Sequence, residues 1–110
     1  MSDTIYAVTN PWTGEVISRH PTDTDAAIEA AVSAAASQGR AWGSSTPVQQ
    51  RADLLRRIAE LHAERKEALA AIIVEEMGKP IEQARGEVDF CVDIYQYFAD
   101  VAADAMPTSP

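Results

Sequence analysis

The sequence predicts a mainly α-helical chain that begins with a short β-hairpin. Near the N-terminus, two short apolar runs flank a turn-forming string that contains Pro11 and Gly14. From residue 23 almost to the C-terminus, apolar residues recur every three or four positions, which is the spacing of one face of a helix. A length of 110 residues suits one domain, so we expect at most one hydrophobic core.

The hairpin is predicted at about residues 4–19. Its strands, Thr4–Val8 and Val16–Arg19, contain β-branched and aromatic residues that favour a pleated surface. Between them, Pro11 presets φ for a turn, Gly14 can adopt a positive φ, and the Asn10 side chain can bond the backbone two residues further on. Because a two-stranded hairpin is marginal in water, we expect it to lie against another element.

A first helix is predicted at about residues 23–38. Thr22 can cap its N-terminus, and Asp25 places a carboxylate near the positive end of the helix dipole. Gly39 supplies a stop, which leaves Trp42 in a linker, where we expect it to be a packing anchor. The apolar face is small, so we expect it to pack closely against a neighbour. Its members are Ile28, Val32 and Ala35.

A longer helix with a bend is predicted at about residues 47–77. Thr46 and Pro47 supply an N-cap hydroxyl and a proline at the first helical position. The polar segment from His62 to Glu67 interrupts the apolar stripe and predicts the bend. Gly78 suits the left-handed position after a helix, and Pro80 prevents continuation. The stripe consists of Leu54, Leu55, Ile58, Leu61, Leu69, Ile72, Ile73 and Met77.

The last helix is predicted at about residues 80–104. Its apolar residues alternate at spacings of four and three, which is typical of a helix that is buried along one side. Pro107 and Pro110 follow Met106 and are expected to end it. The apolar seam consists of Ala84, Val88, Cys91, Tyr95, Phe98 and Ala102.

Composition and charge exclude several classes of protein. The net charge of −8 argues against nucleic acid or an anionic membrane surface as partner, because both need clustered Lys and Arg. No stretch approaches 18 consecutive apolar residues, and the N-terminus lacks the features of a signal peptide. The single cysteine, Cys91, cannot form an internal disulfide. We therefore expect a cytoplasmic protein with a thin, alanine-rich core.

The reactive side chains form no recognised site, so we predict no catalytic, cofactor-binding or metal-binding residue in this chain. Cys91 shares its helical face with apolar residues, which suits a core cysteine better than a nucleophile. His20 and His62 are too few and too far apart for a metal cluster, and His62 suits a hydrogen-bonded packing role. The acidic pairs Glu75–Glu76 and Glu87–Asp89 suit solvated helix faces.

A series of short strings stands in a fixed order along the chain. They are Asn10-Pro11 with Thr13-Gly14-Glu15-Val16, Asp25-Ala26-Ala27-Ile28, Trp42, Gln50-Arg51-Ala52, Leu55-Arg56-Arg57-Ile58-Ala59, Glu64-Arg65, Glu75-Glu76-Met77-Gly78-Lys79-Pro80, Ala84-Arg85-Gly86-Glu87-Val88 and Tyr97-Phe98-Ala99-Asp100. In this order, from about Tyr6 to Ala105, they resemble the start of the NAD(P)-dependent aldehyde dehydrogenases. Met77 and the ending from Ile94 to Asp100 most resemble the succinate-semialdehyde dehydrogenase branch.

The resemblance implies an α/β parent fold in which residues 1–110 form the first part of a Rossmann-like cofactor-binding domain. The family forms a thiohemiacetal on a cysteine, transfers hydride to NAD or NADP, and hydrolyses the thioester with a glutamate base. A backbone amide and an asparagine stabilise the oxyanion. By resemblance, these residues and the lysine at the cofactor ribose belong to segments beyond Pro110. We therefore expect the isolated chain to be inactive and to bind no nucleotide tightly.

The resemblance also implies one site that this chain could share. Some family members hold a monovalent cation between backbone carbonyls before the Asn-Pro turn and an acidic side chain of the last helix. The matching positions are Val8, Thr9 and Glu87. Whether they hold an ion is left open.

Two hypotheses for the chain follow. The first is the N-terminal part of an aldehyde dehydrogenase, with an aldehyde as its small-molecule substrate and a tendency to form homo-oligomers or to self-associate through exposed apolar helix faces. The alternative is a stand-alone helical interaction module that uses the seam from Ala84 to Ala102 as its partner surface.

Overall fold

A computed structural model describes residues 5–106, which form an N-terminal hairpin followed by helices. The strands are β1 (Ile5–Thr9) and β2 (Val16–Pro21), and the helices are α1 (Asp25–Ser45), α2 (Val48–Glu64), α3 (Lys66–Met77) and α4 (Ile81–Ala105). The prediction of a mainly helical chain with a β-hairpin is confirmed. The predicted strand residue Thr4 and the helix-ending prolines Pro107 and Pro110 lie outside the described residues.

The hairpin is antiparallel, and its register contains one irregularity. Val8 pairs with Ser18 and Thr9 pairs with Val16, so Ile17 is left over as the extra residue of a β-bulge. In the turn, the Asn10 side-chain oxygen accepts hydrogen bonds from the backbone amides of residues 12 and 13, at 2.9 and 3.2 Å. Gly14 has a φ of 76°, as predicted.

Helix α1 starts later and ends later than predicted. Its N-cap is Thr24, whose hydroxyl accepts from the Ala27 amide at 3.2 Å, and not Thr22. The predicted stop at Gly39 is wrong, because only Gly14 and Gly78 have a positive φ among the described residues. Gly39 instead takes helical geometry at a modest cost in propensity. The helix therefore includes Trp42, which the sequence had suggested lies in a linker.

The expected close packing of α1 finds no partner among the described residues, since every described side chain of this helix is exposed. It stays a prediction. Ile28 and Val32 are 51% and 64% exposed, and Trp42 is 45% exposed, so none of them is a buried anchor. The described chain divides after Thr46 into two compact units. In the first unit, which contains the hairpin and α1, no described residue is buried.

The second unit is a three-helix assembly in which α4 packs along both α2 and α3. Its core is as thin as expected: among the described residues, every buried side chain is an alanine or a valine. Small side chains let helices approach closely but bury little apolar area each. The buried residues are Ala52, Ala59, Ala70, Ala84, Val88 and Ala99.

The helix ends of the second unit follow from local chemistry. The N-cap of α2 is Pro47, whose ψ of 144° is extended and not helical. Thr46 instead caps the C-terminus of α1. The predicted Thr46 N-cap of α2 is therefore wrong. The bend predicted between His62 and Glu67 is a break at Arg65, between α2 and α3. Gly78 ends α3 with a φ of 72°, as predicted, and its amide donates to the Val74 carbonyl.

Candidate functional site

Cys91, His62 and His20 lie on three different elements, α4, α2 and β2. Cys91 is a free, half-buried thiol on α4. On α2, His62 Nδ1 lies 2.9 Å from the Ile58 carbonyl, and the imidazole ring contacts the Tyr95 ring at 5.1 Å between centroids. A carbonyl can only accept, so Nδ1 carries the proton. The predicted hydrogen-bonded packing role of His62 is confirmed.

The remaining histidine lies in the hairpin. His20 Nε2 lies 3.0 Å from the Ser18 hydroxyl, on the same face of β2. Within residues 5–106, no three His, Cys, Asp or Glu side chains group in a way that could hold a metal ion. The absence of catalytic, cofactor-binding and metal-binding residues stays a prediction.

The junction of α3 and α4 is held by ion pairs. Arg85 on α4 makes a bidentate contact with Glu67 on α3, with Nε–Oε1 at 3.0 Å and Nη2–Oε2 at 2.8 Å, and it also bonds Glu82. The hydrogen bonds from Arg85 lower the pKa of Glu67, and the bonds to Glu67 and Glu82 raise the pKa of Arg85. Bidentate pairs of this kind fix the relative position of two elements.

Two further carboxylates of α4 are paired with lysines. Lys66 Nζ lies 2.6 Å from Asp89 Oδ2, and Lys79 bonds Glu87. The prediction of a solvated acidic face therefore needs a correction: Glu87 and Asp89 are exposed but act as partners in surface ion pairs. Neither carboxylate has the isolated, buried environment that favours acid–base catalysis.

The predicted monovalent-cation positions fall in different units. Val8 and Thr9 belong to β1 in the first unit, and Glu87 belongs to α4 in the second. Since Glu87 already bonds Lys79, an ion would have to compete with that lysine. The cation site stays a prediction.

Arg56 joins α2 to α4 near the end of α4. Its guanidinium donates to Asp53 at 2.9 Å, to Asp100 at 3.1 Å and to the Ala99 carbonyl at 3.3 Å. Arg57 instead bonds Glu60 and Glu64 of its own helix, and the bond to Glu60 is the main reason why the pKa of Arg57 is raised. Of these two arginines, only Arg56 therefore bonds across the α2–α4 interface.

A cleft of about 500 Å³ lies between the start of α2 and the end of α4. It is lined by apolar and aromatic side chains and by one cation, Arg51. The Arg51 side chain is half-buried, and its Nε is buried without a hydrogen-bond partner. Sequence reasoning missed this cleft, although Arg51 follows Val48 by three residues and precedes Leu55 by four, which places all three near one helix face. The apolar lining consists of Val48, Ala52, Leu55, Tyr97, Phe98, Val101, Ala102, Ala105 and Met106.

The seam proposed as the partner surface of a stand-alone module is largely covered inside the second unit. Ala84 and Val88 are buried, and Cys91, Tyr95 and Ala102 are half-buried. Of the six seam residues only Phe98 is exposed, at 56%. The alternative reading, a stand-alone interaction module, is therefore not favoured.

No helix within residues 5–106 has the combined length and apolar character needed to cross a bilayer.

Comparison with known proteins identifies the class to which this hairpin and its helices belong. The model of the aldehyde dehydrogenase family matches residues 1–109, which is almost the whole chain. The chain therefore belongs to the aldehyde dehydrogenase family.

The similar proteins are individual dehydrogenases of this family. The chain is 40% identical over 95 residues to succinate-semialdehyde dehydrogenase [NADP(+)] of Deinococcus radiodurans, covering 86% of this chain. It is 39% identical over 97 residues, or 88% of its length, to 3-sulfolactaldehyde dehydrogenase of Pseudomonas putida. It spans 20% of the length of each of these relatives.

A solved structure gives the same result for the fold. Succinic semialdehyde dehydrogenase from Streptococcus pyogenes, in complex with NADP+, matches 96% of this chain and 23% of its own, with a TM-score of 0.88 and 28% identity. The predicted aldehyde dehydrogenase parent fold is thereby confirmed.

Proposed function

We propose that this chain is the N-terminal part of an NAD(P)+-dependent aldehyde dehydrogenase that oxidises succinate semialdehyde to succinate. The observation that carries the proposal is the 40% identity to a succinate-semialdehyde dehydrogenase over 86% of the chain. The structural similarity to an enzyme of the same name, with a TM-score of 0.88, also supports it.

The substrate class is a small aldehyde that carries an acidic group. Succinate semialdehyde carries a carboxylate, and 3-sulfolactaldehyde, named for the second relative, carries a sulfonate. NADP+ is supported as cofactor by the names of the first relative and of the solved complex. We further propose a homo-oligomeric enzyme of the cytoplasm, on the basis of the exposed apolar side chains of α1 and of the single cysteine.

In this proposal the 110 residues contribute scaffold to the cofactor-binding domain and take no part in the chemistry. Cys91 is half-buried on a helix that packs along two others, and the nearby carboxylates pair with lysines. A nucleophile needs an accessible setting and an adjacent base. The nucleophile and base would therefore come from sequence beyond Pro110.

The test is the coding sequence downstream of Pro110, followed by an assay of the protein that it encodes. We expect the continuation to supply a cysteine nucleophile and a glutamate, and the purified protein to reduce NADP+ only when succinate semialdehyde is added. The variant Cys91→Ala should keep that activity. A stop codon directly after Pro110, together with a stable 110-residue monomer, would reject the proposal in favour of a stand-alone module.

A further inference from the structure

We propose that α3 is held on α4 mainly by charge, and that it opens as a separate unit when the cations that hold it are neutralised, while α2 and α4 stay packed. Three ion pairs, called here the charge clasp, join α3 and the turn after it to α4. This conformational device does not depend on which reaction the protein takes part in. The pairs of the clasp are Lys66–Asp89, Glu67–Arg85 and Lys79–Glu87.

Apolar burial contributes little to the docking of α3. Helix α4 packs along both α2 and α3, but α2 and α3 touch each other little. Ala70 is the one buried residue of α3, and three further apolar side chains of this helix are half-buried. Ile72 and Met77 are 48% and 58% exposed. Because an alanine buries little apolar area, the position of α3 depends on its ion pairs as well.

Non-helical residues at both ends of α3 allow it to open by itself. Arg65, between α2 and α3, has a φ of −104° and a ψ of 13°, close to the sparsely populated bridge region. The Arg65 amide donates to the Leu61 carbonyl at 3.1 Å, so the end of α2 keeps its own hydrogen bonds. At the other end, Gly78 is left-handed and ends α3. An opening of α3 can therefore stop at these two points.

The net charges of the two helices explain why the clasp is needed. Helix α3 carries one basic and three acidic residues, and α4 carries one basic and six, so the helices would repel each other without their ion pairs. Lys66, Lys79 and Arg85 are only 32%, 26% and 35% exposed, whereas Arg57 on α2 is 54% exposed. Partly buried pairs are screened less than exposed ones. The clasp therefore outweighs the repulsion between α3 and α4.

The experiment is hydrogen exchange of the 110-residue chain, resolved by peptide, at low and at high salt. The cation variant combines Lys66→Gln, Lys79→Gln and Arg85→Gln. At low salt, we expect α3 amides to exchange about fivefold or more faster in the cation variant than in wild type, because three small contributions are lost together. Amides of α2 and of the second half of α4 should change by less than about twofold.

Salt should act in opposite directions on the two proteins. In wild type, raising the salt from about 0.05 M to about 0.5 M screens the attraction within the clasp, so α3 should exchange faster. In the cation variant only the repulsion between two acidic helices remains, so the same salt should slow the exchange of α3. A loss of side-chain packing alone would not reverse the sign of the salt effect.

Arg57→Gln is the matched control. Arg57 bonds Glu60 and Glu64, which lie on its own helix, so this variant loses a charge and two ion pairs without affecting the clasp. Its α3 should exchange at the wild-type rate at both salt concentrations. An equally fast exchange of α3 in Arg57→Gln and in the cation variant would overturn the proposal.

A second variant breaks the same pairs from the acidic side and decides the question if the cation variant does not fold. It combines Glu67→Gln, Glu87→Gln and Asp89→Asn, which also reduces the repulsion between the helices. Its α3 should exchange faster than in wild type at low salt, but less so than in the cation variant. Wild-type exchange of α3 in this variant, or a salt effect of the same sign in wild type and the cation variant, would reject the charge clasp.

Discussion

The two compact units of this chain differ in how many of their described side chains are buried. The second unit, from α2 to α4, holds every buried residue that the structure describes and joins its helices with ion pairs. In the first unit, no described side chain is buried, and Trp12 at the tip of the hairpin is 91% exposed. Both units have regular secondary structure. The presence of helices and strands therefore does not by itself indicate which unit would stay folded without further protein packed against it.

The difference shows that backbone geometry and burial are separate requirements. The hairpin has its turn bonds and α1 has its N-cap, which are local interactions set by neighbouring residues. Lasting stability comes mainly from apolar burial, which needs a second layer. Among the residues that the structure describes, only those of the second unit form such a layer, and its buried side chains are small.

Overpacking the core of the second unit should have the largest effect. Ala59 on α2 is completely buried, so a leucine there has no room without separating the helices. We expect Ala59→Leu to lower the free energy of unfolding by about 1–3 kcal/mol, measured by urea titration of the far-UV circular dichroism.

Ala30→Leu in α1 is the matched control, because Ala30 is exposed. It should change the free energy of unfolding by no more than about 0.5 kcal/mol. Equal losses at the two positions would show that α1 has a packed face, and the contrast between the units would disappear.

Two glycines should respond to alanine with opposite signs. Gly78 has a φ of 72°, where a Cβ is disfavoured, so Gly78→Ala should destabilise the second unit by about 1 kcal/mol. Gly39 is helical and an added Cβ meets open space, so Gly39→Ala should stabilise α1 by about 0.5–1 kcal/mol. The measurement is the same urea titration, and a loss of stability at Gly39 would contradict the uninterrupted α1.

The α3–α4 ion pair should give a smaller effect that depends on pH. The folded-state pKa of Glu67 is lowered by Arg85, so its contribution to stability is present above the unfolded-state pKa of about 4.3. The contribution is lost as the pH falls through the lower, folded-state value. We expect Arg85→Gln to lower the Tm at pH 7, and the difference from wild type to shrink below about pH 4.

Arg57→Gln separates the inter-helix effect from a general loss of charge. Hydrogen exchange in α3 should become faster in Arg85→Gln but not in Arg57→Gln, whose partners lie on α2. A Tm difference for Arg85→Gln that is independent of pH would show that Glu67 is not the relevant partner.

Features with a local cause could be predicted from the sequence. The Asn10 turn, the positive φ of Gly14 and Gly78, and the break near Arg65 depend on residues close in the chain. The prediction for Gly39 was wrong because glycine is tolerated inside a helix and is also favoured at the position that follows the end of a helix. The residue type alone does not distinguish these two positions.

The cleft could not be predicted for a different reason. Arg51 and Phe98 come together only when α4 packs on α2, and periodicity describes each helix without its partner. The seam of α4 was identified correctly as apolar, but the sequence could not show that α2 and α3 cover most of it. The pairing of Glu87 and Asp89 with lysines was missed likewise, since each pair joins residues that are distant in the chain or separated by a turn.

The most direct test of the contrast between the units is hydrogen exchange of the 110-residue chain, resolved by peptide. If the second unit has its own interior and the first depends on a layer outside the described residues, amides of α2 and α4 should exchange about tenfold or more slowly than those of α1. Equal protection in α1 and α4 would contradict the account.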